Sequence, residues 1–301
     1  QRKLTPSHRK PTKLSRVRSE ERSQYDRWGL DAESSRGLEL ARIPDTGMCW
    51  WCGEQEATTA EHKYKVTDLR RMAEVTTEGH PDPSTLYRSG ATFSGTLKTI
   101  NRGTAVQWSK SLCKGCNGGR DHAMDSAYEI YSDIIWNDQD RLDADCTQKI
   151  DWRNLYGHRW REESRNLARY FAKQFGCMLA QQSLPVPKDV INFLNGASSP
   201  GTINFTIVRD IGRRELHRIA REEGFDARGY WLPCTEGVLS PDKTFLLYAD
   251  YEAYIGFIGV CVEYGVVRRR QFFKRRVCRI EDVACNDPVD IRRMVAQAVE
   301  K

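Results

Sequence analysis

No hydrophobic run in this 301-residue chain is long and clean enough to cross a bilayer. The longest, around Phe245 to Val267, is broken by Asp250, Glu252 and Glu263, whereas a spanning helix needs about twenty predominantly apolar residues. No repeat and no low-complexity tract is present, which argues against solenoid and fibrous architectures. No apolar signal segment precedes the ten cysteines, so they do not read as the disulfide framework of a secreted chain. The expectation is a reduced, cytoplasmic protein. Acidic charge is in deficit: 47 Lys and Arg against 41 Asp and Glu leave a formal net charge of +6 and a pI near 8.8, a balance that suits a polyanionic partner. A hydrophobic fraction of 39% beside 29% charged residues describes a soluble globular chain, long enough for one large or two ordinary domains.

What is present in place of a disulfide framework is a pair of short cysteine steps, Cys49-Trp50-Trp51-Cys52 and Cys113-Lys114-Gly115-Cys116. Each Cys-x-x-Cys spacing lets two thiolates pinch one metal ion, and two steps complete the closed tetrahedron of a structural Zn²⁺ site. The sixty residues between the steps exceed a simple zinc ribbon, so a further structure must be built inside the loop that the metal closes. That loop contains Glu61-His62-Lys63, and the second step runs on into Asn117-Gly118-Gly119-Arg120. The other six cysteines (Cys146, Cys177, Cys234, Cys261, Cys278 and Cys285) have no ligand spacing and read as small buried hydrophobes.

This order, Cys-x-x-Cys, acidic-His, Cys-x-x-Cys-Asn-x-x-Arg, resembles the HNH endonucleases of the ββα-metal class with a zinc knuckle, over roughly residues 46 to 138. The resemblance implies a metal-dependent hydrolysis of phosphodiester bonds, with double-stranded DNA as the expected substrate. His62 corresponds to the general base, and its ordinary pKa near 6.5 leaves it largely neutral at pH 7. Glu61 and Asn117 correspond to the ligands of the catalytic cation, oxygen donors that suit Mg²⁺ or Mn²⁺ better than Zn²⁺. Arg120 and Lys63 are expected on the substrate phosphate, Arg120 near a helix N-terminus. Neighbouring strand residues point to opposite faces, so Glu61 and His62 converge only if the backbone bends there. One letter departs from the family pattern: the middle Asn is missing before the second cysteine step. Gln107 or Ser109 is the candidate brace in its place, and the nearest Asn is Asn101. A second reading is a zinc-stapled DNA-binding or assembly module without cleavage, which needs only the four cysteines and a basic surface.

Along the chain, the expected fold class is α+β, in four parts. Residues 1–44 form a basic arm and residues 45–138 the zinc-knuckle ββα domain. A helical connector takes 139–184, and 185–301 form a C-terminal α+β domain that suits a protein partner. Within the second part a short strand is expected over 57–66 and helix-forming composition over 69–74. Two further strand-like runs, 91–100 and 104–112, are joined by Asn101-Arg102-Gly103. A helix over 120–137 carries an apolar stripe of Ala127, Tyr131 and Ile134 beside Ile130. A longer helix over 151–182 lines one face with Trp160, Leu167, Phe171, Phe175 and Met178. Its basic row, Arg161, Arg165, Arg169 and Lys173, reads as a solvated face. Trp50 and Trp51 are expected to pack. Later, Ile203, Phe205 and Ile207 alternate as a strand, 211–223 reads as a helix, and 245–267 supplies buried strand. Residues 268–276 combine six cations with Phe272 and Phe273, a nucleic-acid path or a charged strand edge.

Overall fold

The computed structural model describes residues 47–74, 76–88, 93–143, 149–224, 228–232, 237–239, 246–265 and 271–284. All of these fall in one compact unit, Glu39–Lys301. The basic arm, Arg268–Arg270, Cys146, Cys234 and Cys285 lie outside the described residues. The architecture is α+β, and among the described residues no helix is long and apolar enough to cross a membrane.

The first part holds β1 (Thr59–His62), α1 (Val66–Met72), the two-residue strands β2 (Tyr87–Arg88) and β3 (Gly95–Thr96), β4 (Gln107–Leu112) and α2 (His122–Asn137). β4 pairs antiparallel with β1, Thr59 facing Leu112 and His62 facing Gln107. The partner expected from the sequence, 91–100, supplies only β3, which pairs with β2 instead. Bringing Cys49 and Cys52 to Cys113 and Cys116 lays the chain after the first step along the chain before the second, so the meeting of the two steps selects β1. The enclosed segment folds on its own small core of Leu69, Ala73, Leu86, Leu97, Ile100 and Val106. In α2 the buried stripe is Met124, Ala127, Tyr128, Tyr131 and Ile135, rotated from the expected one: Ile130 is 42% exposed.

Then follow α3 (Gln139–Asp143), β5 (Lys149–Asp151), α4 (Trp152–Tyr156), α5 (Trp160–Gln181) and α6 (Lys188–Leu194). The single helix expected over 151–182 is broken at Gly157, whose φ of +60° is left-handed backbone that glycine adopts without strain. The last part is β6 (Ile203–Asp210), α7 (Ile211–Glu222), β7 (Tyr230–Trp231), β8 (Gly237–Leu239), β9 (Leu246–Ile255), β10 (Ile258–Tyr264) and β11 (Val277–Val283). Seven strands form one sheet in the order β5-β11-β6-β10-β9-β7, with β8 also on β9. Every pair is antiparallel except β11 with β6.

α5 is the central element. Fourteen of its 22 residues are buried, far more than one amphipathic face supplies, because it is covered on several sides. Tyr170 stacks on Tyr128 of α2 at 4.0 Å between ring centroids, and Phe171 meets Tyr131 edge-on. Trp50 of the first cysteine step lies over Gly176, where a Cβ would come within 2.4 Å of the indole ring. Trp51 donates its Nε1–H to Asn195 Oδ1 at 2.9 Å. Both tryptophans are therefore packed, as expected. One hydrophobic core runs from Cys49 through α5 to Ile280 on β11.

Candidate metal centre and the pocket beside it

The Sγ atoms of Cys49, Cys52, Cys113 and Cys116 all lie within 4.8 Å of one another, and the Cys52 and Cys113 sulfurs are 3.9 Å apart. Zn–S bonds of 2.3 Å in a tetrahedron set the S–S edge at about 3.8 Å, so the donor set fits a metal ion such as zinc. Each step is shaped by its own backbone: Gly53 N–H donates to Cys49 O at 2.8 Å and Asn117 N–H to Cys113 O at 2.9 Å. Burial pushes the Cys49 and Cys116 thiols up, the neighbouring sulfurs adding to the effect at Cys116. At the more open Cys52 burial pushes the same way, but backbone N–H groups of Glu54 and Gln55 outweigh it and bring the thiol down to about 7. Metal binding displaces the remaining protons.

Immediately beyond Cys116 the helical course is interrupted at Asn117 and Gly118 (φ +141°) before α2 begins. That kink sets Asn117 on the rim of a pocket of about 520 Å³, lined also by Glu61, His62, Asp121, His122 and Asp125. The convergence of Glu61 and His62 has the required cause: the β1–β4 register is irregular on both sides of Ala60, and a bulge re-aims side chains out of strict alternation. Asn117 donates from Nδ2 to Ala60 O at 3.4 Å, which leaves its Oδ1 as a free hard donor. His62 Nε2 bonds the carbonyl of Asn101 at 3.1 Å. A carbonyl only accepts, so the hydrogen sits on Nε2 and Nδ1 is the bare nitrogen. Asn101 thus acts through its main chain. Gln107 shapes the same loop from below, its Oε1 accepting from Gly103 N–H at 3.2 Å. Ser109 N–H donates to Gln181 Oε1 at 3.2 Å, away from the His62 loop.

Glu61 is held at the pocket floor. Its Oε2 is 2.8 Å from Lys173 Nζ, and its Oε1 accepts from Gln174 Nε2 at 3.2 Å. Gln174 also donates to His62 O at 3.0 Å and accepts from Trp108 Nε1 at 2.7 Å, so one buried amide ties α5 to both strands. Lys173 reaches Asp121 Oδ2 as well, at 2.6 Å. Burial alone lowers a lysine pKa, but Glu61 and Asp121 reverse it and hold the ammonium well above its ordinary value. Lys173 was expected on a solvated face; it has no exposure at all.

Two expected phosphate contacts divide. Arg120 is exposed one turn past Asn117. Lys63 is not brought to the pocket: it is buried, donates to Thr104 O at 2.9 Å and lies over the Trp108 ring. Burial, with help from Arg88, lowers its pKa to about 8. Of the basic stretch, Phe272 and Phe273 are buried against Trp152, Phe193 and Phe205, so their rings are not open to bases. Lys274 and Arg275 line a second cleft, of about 580 Å³, with Lys149 and Arg279.

The residues that sequence reasoning missed are Lys173, Gln174 and Asp121 as parts of one polar group. A signal was present: Lys173-Gln174 interrupts the otherwise apolar run Tyr170 to Ala180, and buried polar pairs need partners. No family model, no curated protein and no solved structure matches this chain.

Proposed function

We propose that this protein is a metal-dependent endonuclease of the HNH type, hydrolysing phosphodiester bonds in double-stranded DNA, with β1, β4 and α2 as its ββα-metal core. The observation that carries the reading is the fixed tautomer of His62, whose Nδ1 is bare in a pocket that also holds Asn117 and Glu61. Nδ1 takes a proton from a water placed against the phosphorus, and the Asn101 carbonyl steadies the imidazolium that results. Asn117 Oδ1 and the outer lone pairs of Glu61 offer hard oxygens for Mg²⁺ or Mn²⁺. Such an ion, when bound, supplies positive charge against the oxygen that leaves phosphorus. Arg120 meets the neighbouring phosphate. The four cysteines hold a structural zinc that fixes Asn117 relative to β1.

A second reading, a zinc-stapled DNA-binding or assembly module without cleavage, is favoured by one observation: both oxygens of Glu61 already have partners. Plasmid cleavage with Mg²⁺, with Mn²⁺ and with EDTA separates the two. Under the nuclease reading, His62→Ala lowers cleavage by about 10²–10⁴ while zinc content and DNA affinity stay near those of the parent. A parent protein that binds duplex DNA but fails to cut it with any of these metals establishes the binder.

A further inference from the structure

Two carboxylates closing on one buried slot is an arrangement that a hard divalent cation takes. Here the slot between Glu61 and Asp121 holds the Lys173 ammonium, 2.8 and 2.6 Å from the two oxygens. Both carboxylates line the pocket of His62 and Asn117. Of the other two carboxylates of that lining, Asp125 is paired with Lys65 at 2.5 Å and Glu129 is exposed. Four carboxylates thus face two ammonium groups, and the pocket keeps a net negative charge. It attracts a divalent cation while offering no second slot between Glu61 and Asp121.

We propose that Lys173 is a resident cation of this pocket: a tethered monovalent charge that occupies the Glu61–Asp121 slot and limits the site to one weakly held divalent ion. The inference rests on the assignment of a divalent cation to Glu61 and Asn117. Lys173 and Gln174 each take a lone pair of Glu61, and a carboxylate has about four such positions, so Glu61 still has positions to offer the pocket. Any divalent ion taken there lies close to the ammonium, and the low-dielectric surroundings make that repulsion large. Lys173 is therefore a positioning residue. It orients Glu61, confines Asp121 and sets metal affinity without touching substrate.

The test is Mn²⁺ binding to the zinc-loaded full chain, followed by electron paramagnetic resonance without nucleic acid. Lys173→Met vacates the slot and should tighten Mn²⁺ binding at least tenfold. Lys173→Arg keeps the charge and should stay within threefold of the parent. Adding Asp121→Asn to Lys173→Met should abolish the gain, because the new ligand pair is broken. A folded Lys173→Met with parental Mn²⁺ affinity overturns the proposal, and so does a gain that survives Asp121→Asn. If zinc-loaded Lys173→Met is unfolded in the absence of Mn²⁺, recovery of the fold on adding Mn²⁺ supports the slot, and failure to recover overturns it. A parent that binds no Mn²⁺ beside a Lys173→Met protein that does upholds the resident cation and removes the divalent ion from the nuclease reading.

Discussion

Lys63 and Lys173 stand on either side of Gln174's contacts and are buried for opposite electrostatic reasons. Lys173 has two carboxylates; Lys63 has a carbonyl and a ring. The Lys63 pKa of about 8 against an ordinary 10.5 has a definite sign in stability. Between those pH values the unfolded chain holds the proton and the folded chain does not, so raising pH favours the folded state. Below pH 8 both states carry the charge and the full burial penalty is present. Urea midpoints of the parent should therefore rise relative to Lys63→Met from about pH 8 to 10, and parallel curves would remove Lys63 as the cause. At Gly176 the constraint is steric. Gly176→Ala drives a methyl group into Trp50 and should cost about 1–3 kcal/mol, read as a lower denaturant midpoint with zinc content retained. Residue types carried much of the candidate site: the four cysteines were legible by spacing, and the resemblance pointed to His62 and Asn117 of the pocket beside them. What Asn101 does was not legible, because a main-chain carbonyl has no letter in the sequence.

At the scale of elements, α1 is anchored by one carboxylate. Asp68 accepts hydrogen bonds from Tyr128 Oη at 2.7 Å and Ser132 Oγ at 2.5 Å on α2, and from Tyr230 Oη at 2.8 Å on β7. Asp68→Ala leaves the Tyr128 hydroxyl and one of the paired Ser132 and Tyr230 hydroxyls short of an acceptor and should cost about 2–4 kcal/mol, measured by urea unfolding. Tyr230→Phe removes one bond and should cost about 1 kcal/mol; in the double variant the two losses should fall short of additive. Helix periodicity placed α2 and α7 and the bulk of α5, missing the break at Gly157, and alternation placed β6. Strand pairing was the part that periodicity does not encode. Residues 91–100 have strand-like composition, yet β1 takes the place beside β4 because the meeting of the two cysteine steps dictates which chains meet. The basic row on α5 misled for a related reason: a helix buried on several sides turns even its lysine inward.

Across the whole molecule, the core passes without interruption from the cysteine steps to β11. The boundaries expected near 138 and 184 cross that core: Trp51 bonds Asn195, and Trp152 donates to Phe272 O at 3.0 Å. A fragment spanning residues 45–184 should therefore lack native side-chain packing even with zinc, giving poor dispersion in proton NMR spectra. The full chain should lose zinc and tertiary structure in one transition. Cys113→Ser should behave likewise, since structural zinc contributes on the order of 10 kcal/mol in small domains. A well-folded full chain devoid of zinc by elemental analysis would refute the staple.

The placement of β11 reaches into the synthesis of the protein. It lies between β5 and β6, pairing Lys149 with Arg279 and Ile207 with Ile280, so two strands made early wait for one made last. At 5–20 residues per second, roughly 6–25 s separate the emergence of Lys149 from that of Arg279. From its own emergence until then β6 has an open edge on the nascent chain, and β5 lacks the strand it pairs with. The ribosome-bound chain thus carries both cysteine steps beside an unfinished sheet, and completion of the one continuous core waits for β11.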